Sequence, residues 1–384
     1  MKRAFVLIIP LSLAIFGCGG GSSSAPPPPS QKIIAGEFVF TANSGSSNIS
    51  AFQPAEPITG SNYLVPVSGS PFSVASAPTA LAGGVGPSFL GGIFDLVVAS
   101  ASQKTIYLFN VDSTTGALSG PVSNVTTSYT PAAVTVWQSY FYVANKEGNV
   151  SAYQVASNGT VTQVPGSPFA AGAGPVALAT GVLTLYVANS QSNNISTFAI
   201  NPSTGALTPV TGSPYPAGTT PSSITAINPL PLSSSSSIAY FAVTNQGSNS
   251  VSVYSAASNG SLTKVQGSPF ATGSAPSSGA PVLGVGSIFF YVANSGSNNV
   301  SGYDFDAASG VLTPLPGSPF AAGTNPVSLT SAELLGPLYV ANSGSNNLSV
   351  FTVSPASGAL SPVATSPLSI GNSPQQVFLF QTTP

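Results

Sequence analysis

Seven-fold repetition, short strands of alternating polarity and a proline-led element closing each repeat mark this as an all-β chain. They predict a seven-bladed β-propeller with four antiparallel strands per blade. The strongest repeat element is Tyr-Val-Ala-Asn, at Tyr142–Asn145, Tyr186–Asn189, Tyr291–Asn294 and Tyr339–Asn342. Weaker copies are Phe40–Asn43, Leu96–Ala99 and Phe241–Asn245. The seven copies stand roughly 44 to 57 residues apart, the spacing of propeller blades. Residues 292–299 and 340–347 are identical, both reading VANSGSNN.

Each copy is followed by a second alternating run, such as Val300–Tyr303 or Leu348–Phe351, and then by a glycine-containing turn. A Gly-Ser-Pro-Phe element or a relative comes next: Gly69–Phe72, Gly166–Phe169, Gly212–Tyr215, Gly267–Phe270 and Gly317–Phe320. Blade 2 lacks it, and the last copy is Thr365–Leu368. The closing element begins at Pro78, Pro131, Pro175, Pro221, Pro276, Pro326 or Pro374. Period-two runs of β-branched and aromatic residues, split by Gly, Asn and Pro, form strands rather than helices. The proline-led run is short and rich in Ala, Ser and Val, which suits the crowded innermost strand. Its expected stretches are 79–82, 132–136, 176–180, 222–227, 277–283, 327–331 and 375–379. Proline in the Gly-Ser-Pro-Phe element suits an outermost edge, where no ladder bond is lost. The repeat starts on a second strand (37–43) and ends on a first strand (374–380). The two ends should therefore share one blade and latch the ring.

Ahead of the propeller, expected over 37–384, come two further segments. Met1-Lys2-Arg3, the apolar run 4–16 and Cys18 read as an export signal, 1–18, too short to span a bilayer core. Cys18 is the only cysteine, so no internal disulfide exists. Residues 15–18 resemble the lipobox of bacterial lipoproteins, in which the cysteine carries the lipid. A chance cysteine in an ordinary secretory signal is the alternative. Residues 19–36 begin GGGSSSAPPPPS and read as a tether, flexible and then stiff, whose first twelve residues reach roughly 35 Å. Lys32 belongs to the same exposed stretch. The expected address is the bacterial cell envelope, with the membrane reached through an N-terminal lipid on its periplasmic side or the cell surface.

Composition narrows the function. Of 384 residues only 4% are charged, against about 25% in ordinary soluble domains. A nucleic-acid binder needs a basic stripe to neutralise phosphates, and this chain has none. Histidine is absent, and the single arginine is Arg3. None of the expected inner strands holds an ionisable group beyond hydroxyls, so the channel offers no general acid or base. Catalytic residues are expected to be none, and no metal or cofactor is expected. Lys104 and Lys146 fall in turns between second and third strands, with Glu147 beside one of them. They read as solvated charges before they read as half of a Ser–Lys pair. Asp304 and Asp306 share a strand face, but Ca²⁺ needs 6–8 oxygens. Asn-x-Ser/Thr sites such as 194–196 and 299–301 reflect repeat geometry, not glycosylation. The serine run 233–237 is a low-complexity loop insertion.

The repeated YVAN, its polar turn, the G-x-L turn and G-S-P-F together resemble the seven-bladed propeller lactonase-fold family, over about 37–384. That family includes propeller-type 6-phosphogluconolactonases and muconate-cyclising enzymes, and it grades into exported YVTN-repeat proteins. The resemblance implies the fold and a central-channel site with Arg, His and carboxylate groups, whereas this chain has no His, its only Arg is Arg3, and its expected inner strands carry no carboxylate. The expected function is a non-catalytic, lipid-anchored envelope protein that binds or scaffolds. The alternative is a lactonase-like hydrolase with an unorthodox site. A cofactor-binding or sensory propeller is a third class. The candidate binding rim is Asn145, Asn189, Asn194, Asn245, Asn294, Asn298, Asn299, Asn342, Asn346 and Asn347, suited to a neutral polar ligand such as a glycan, or to an envelope protein. The bland reading is that Ser, Gly and Asn are good turn formers. A monomer is expected.

Overall fold

Proline opens six of the seven inner strands of the propeller because a first position needs no ladder N–H; in blade 2 the strand Ala80–Gly83 starts two residues after Pro78. The computed structural model describes residues 32–56, 63–84, 95–227, 239–284, 286–332 and 336–382. Blade 3 sets the pattern. Its inner strand Pro131–Trp137 pairs antiparallel with Tyr140–Asn145, which pairs with Asn149–Val155. The outer edge is then made of two short pieces, Val161–Gln163 and Phe169–Ala170. The register slips by one residue just after the leading proline, here between Pro131 and Ala133, and again at Pro175, Pro221, Pro276 and Pro326.

The interrupted outer strand refines the expected four-strand blade. Pro168 cannot donate, so the edge breaks, and Ser167 Oγ accepts the Ala152 N–H at 2.9 Å in place of a ladder carbonyl. Ser70, Ser213, Ser268, Ser318 and Ser366 do the same for their own third strands. Blade 2, which lacks the motif, keeps one continuous outer strand, Leu118–Thr126.

Second strands are buried throughout, as in Tyr140–Asn145 and Thr184–Asn189, or at all but their first residue, as in Glu37–Asn43. Both of their faces meet a neighbouring blade, so they read as near-continuous apolar runs. The core is accordingly not central. It is seven separate clusters, one at each blade interface; Phe38, Phe40, Leu81 and Leu96 fill the one between blades 1 and 2.

Ring closure is as the repeat order predicts. The C-terminal Pro374–Gln381 is the inner strand of blade 1 and pairs with Glu37–Asn43, Phe38 opposite Phe380 and Thr41 opposite Val377. One expectation is corrected. The tether does not run to residue 36, nor is Lys32 outside the fold. Lys32–Ile33 pairs with the end of Asn48–Glu56, and Ile34 N donates to Pro54 O at 2.9 Å. An otherwise bare third-strand end is covered in this way. Cys18, the signal and the serine run 233–237 lie outside the described residues. Among the described residues no helix is long and apolar enough to cross a membrane.

Candidate axial cavity and polar rim

The inner strands of six blades line a cavity of about 510 Å³ on the ring axis. Its wall includes Thr135, Thr180, Thr225, Ser278, Ser331 and Gln376 beside Leu178, Ile224 and Phe378, and among the described residues no ionisable side chain lines it. Most wall hydroxyls are already committed. Thr225 Oγ1 donates to Gly279 O at 2.9 Å, and Ser331 Oγ donates to Pro281 O. Ser278 and Ser328 accept the N–H groups of Leu329 and Val377, both at 3.2 Å. Gln376 binds both backbone groups of Leu81, accepting at 2.7 Å and donating at 3.0 Å. Each of these bonds joins the inner strands of two blades. Side chains thus supply cross-links where strands of adjacent blades share no ladder. Thr135, Thr180, Thr330 and Gln381 take no such bond among the described residues, which leaves four uncharged polar groups for a ligand.

The asparagine rim needs correction. Asn145, Asn189, Asn245, Asn294 and Asn342 are fully buried and do not face a ligand. Each is the last residue of a second strand, and strand alternation turns its side chain under the following turn. Asn294 Nδ2 donates to Asn299 Oδ1 at 2.8 Å and to Ser301 Oγ at 2.9 Å. The same pair of bonds recurs at Asn189, to Asn194 and Ser196, and at Asn342, to Asn347 and Ser349. Asn194, Asn299 and Asn347 are therefore acceptors in a turn clamp, and the Asn-x-Ser pattern is the clamp's spacing.

Asn298 and Asn346 have a different task. Both sit in the left-handed region, at φ 57° and 54°, which asparagine tolerates. Asn298 Oδ1 accepts the Asn325 N–H, and Asn346 Oδ1 accepts the Ser373 N–H, each at 2.8 Å. Asn193 and Asn249 take Thr220 and Ala275 in the same way. Each acceptor belongs to one blade and each donor to the lead-in of the next, so these residues clasp successive blades.

The charged candidates are also occupied. Lys104 Nζ reaches Ser128 O at 3.4 Å. Both oxygens of Glu147 accept the Thr130 N–H, and Oε1 accepts its hydroxyl at 2.7 Å. Slight burial opposes ionisation of Glu147, but the Thr130 bonds and the Lys104 charge outweigh it and hold the carboxyl below its usual range. Asp306 does not pair with Asp304. It caps its own turn, accepting Ser309 Oγ at 2.6 Å and Ala308 N at 2.8 Å, which lowers its pKa. Among the described residues no cluster of three or more His, Cys, Asp or Glu is present.

One titratable group escaped the sequence reading. Glu37 opens a strand that is otherwise buried, and one of its carboxylate oxygens is buried without a partner among the described residues. Burial holds this carboxyl above its usual range. Nearby, the Tyr63 and Tyr339 hydroxyls meet at 3.0 Å, and desolvation pushes both far up. A lone acid in an apolar strand, Glu-Phe-Val-Phe, was the visible signal.

Comparison with known proteins places the architecture. No curated protein matches the sequence. A family described as lactonase, 7-bladed beta-propeller, matches residues 230–374. Among solved structures, a candidate 6-phosphogluconolactonase of Bacteroides fragilis superposes with TM-score 0.73 at 16% identity, covering 92% of this chain and 99% of that one. The periplasmic gluconolactonase PpgL of Pseudomonas aeruginosa gives 0.69 at 20% identity, covering 91% and 99%. Hydrazine synthase of Kuenenia stuttgartiensis gives 0.55 at 14%, covering 82% and 95%. Three such different names on one architecture mean that these likenesses speak for the fold alone. The repeat motifs, the ring of seven blades and the match over residues 230–374 together support placing the chain with the propeller lactonase-fold family.

Proposed function

We propose that the chain is a lactonase-like propeller that takes a neutral sugar lactone in its axial cavity. The observation that carries this reading is the wall of that cavity, polar through Thr135, Thr180, Thr330 and Gln381 yet without a charge among the described residues. A gluconolactonase and a candidate 6-phosphogluconolactonase share this fold, which makes lactone hydrolysis the reaction to test first. A phosphorylated lactone would bring a dianion to a wall with no cation to meet it, so the neutral lactone is the better substrate class. In hydrolysis, water oxygen adds to the lactone carbonyl, the ring C–O bond breaks, the ring oxygen takes a proton, and the new acid releases one. Hydroxyls can orient that water but cannot remove its proton. The reaction should therefore lack the ~10²–10⁴-fold that a positioned acid or base contributes.

The second reading is a non-catalytic envelope protein that holds the same neutral ligand, and the missing titratable group favours it. One experiment separates the two. Purified protein is titrated in a pH-stat with glucono-δ-lactone and with 6-phosphogluconolactone, and binding of the neutral, non-hydrolysable glucono-δ-lactam is followed by calorimetry. Turnover of the neutral lactone, lost in Thr180→Val with Thr330→Val, supports the hydrolase. Lactam binding without turnover supports the binding protein. Failure of both overturns the axial site.

Attachment to the envelope through Cys18 is part of the proposal. Two or more acyl chains hold a protein stably on a membrane where one does not. Wild type should enter the detergent phase on Triton X-114 partition and Cys18→Ser should not. A wholly aqueous wild type would end that part of the reading.

A further inference from the structure

Adjacent blades meet at their outer strands through one recurring position, the partner of the second residue of each third strand, which is always apolar. Phe72 stands opposite Ile49, Phe169 opposite Val150, Tyr215 opposite Ile195, Phe270 opposite Val251, Phe320 opposite Val300 and Leu368 opposite Leu348. In blade 2 the ladder puts Val125 there, opposite Ile106. Beside it, between blades 2 and 3, lies a cavity of about 220 Å³. Its wall includes Val125, Thr126, Ser128, Tyr153, Val161 and Gln163. An engineered apolar cavity of ~150 Å³ is known to admit benzene, so a single aromatic ring fits a space of this size.

The far wall carries an uncommitted donor. Three blades have tyrosine at the fifth position of the third strand. Tyr254 donates to Pro216 O at 2.7 Å, and Tyr303 donates to Ala271 O, each closing the gap to the preceding blade. Tyr153 makes no such bond to a backbone carbonyl among the described residues. Its ring is fixed, 4.9 Å from that of Phe141 and nearly parallel to it. The neighbouring Ser151 hydroxyl accepts from Asn145 Nδ2 at 2.9 Å and gives its own proton to the Tyr153 oxygen, as Ser252 and Ser301 do to Tyr254 and Tyr303, which leaves the Tyr153 proton to donate. Gln163 Nε2 is spent on Ser167, at 3.2 Å to its carbonyl and 3.1 Å to its hydroxyl, which leaves Gln163 Oε1 to accept. Lys104 at the Ser128 edge faces the opposite charge of Glu147, so neither sign of ligand is favoured. The related groove between blades 6 and 7, about 470 Å³, has Phe351 at the tyrosine position and so no hydroxyl to offer.

We propose that the pocket between blades 2 and 3 binds a small neutral phenol, independently of the axial site. The ligand ring takes the space that a protein side chain fills at other interfaces. Its hydroxyl accepts from Tyr153 and donates to Gln163.

Phenol is titrated into the full-length chain with ligand-observed NMR and melting curves, beside benzene and glucose. Phenol should bind saturably and raise the melting temperature, since a ligand of the folded state stabilises it by mass action. Val125→Phe should fold, melt no lower than wild type, and bind phenol at least tenfold more weakly. Val161→Phe fills the pocket from blade 3 and gives the same reading if the first variant misfolds. Tyr153→Phe should weaken phenol about fivefold, the worth of one hydrogen bond, and leave benzene unchanged. No binding of phenol, equal binding by both filled variants, or loss of phenol binding when glucose is added would each overturn the proposal.

Discussion

Asn294 lies at the end of a strand buried from Phe289 onward, and its amide holds the next turn in place through two hydrogen bonds. Truncating it removes both and strands the Asn299 and Ser301 acceptors. Asn294→Ala should therefore cost about 2–4 kcal/mol in urea unfolding. Asn298→Gly, four residues on and exposed, keeps the left-handed backbone without strain, loses one bond to the next blade and should cost about 1 kcal/mol. Equal losses would mean that the clamp and the clasp are misassigned. Glu37 makes the opposite case. A carboxyl raised in the folded state binds its proton more tightly there than in the unfolded chain. Stability is then greatest in acid and falls as pH rises from the ordinary glutamate range through the raised value. Glu37→Gln should melt higher than wild type at pH 8, with the advantage vanishing near pH 4. A wild type that gains stability between pH 4 and pH 8 while the variant does not would reverse the sign.

At the scale of elements, the turns after the third strands hold the blades in register. Gly205 sits at φ 69°, and a Cβ there would lie 2.3 Å from the Tyr140 ring of the preceding blade, whose hydroxyl donates to Ser203 O. Gly310 meets Tyr240 and Gly116 meets Phe38 in the same way. Gly205→Ala combines a left-handed backbone with an aromatic clash and should cost about 2–4 kcal/mol by melting. Gly286→Ala, at φ 82° with nothing within 4 Å, should cost only about 1–2 kcal/mol. The strand order was legible because every blade solves the same packing problem with the same four elements. The roles of the asparagines were not. Asn294, Asn298 and Asn299 stand within one polar run, and composition treats them alike. Only the strand end and the turn conformation send one inward, one to the next blade and one into the clamp. The pocket at Val125 was hidden for a related reason. Blade 2 has no Gly-Ser-Pro-Phe to align, and only the ladder register identifies which residue stands for the phenylalanine.

At the scale of the molecule, stability is a matter of closure. A propeller has no central core to fall back on; each interface cluster exists only while both of its blades are in place. Pro374–Gln381 supplies the inner wall of blade 1 and contributes Val377 and Phe380 to the clusters on either side of it. It also carries the Gln376 bridge to Leu81 and the Ser373 N–H taken by Asn346. Removing it leaves Glu37–Asn43 as an unpaired radial edge with two opened clusters beside it. The loss should reach several kcal/mol, comparable to the whole margin of about 5–15 kcal/mol for an ordinary domain. An exposed ladder of this kind pairs with other chains. A chain ending at Gly371 should melt far below wild type and elute as oligomers or aggregate on size exclusion. Adding a synthetic 372–384 peptide should restore the monomer if the strand acts by closing the ring. A truncated chain that stays monomeric with an unchanged melting temperature would refute the shared blade. Rescue by a peptide in which Val377 and Phe380 are both replaced by serine would refute the account of what the closing strand does.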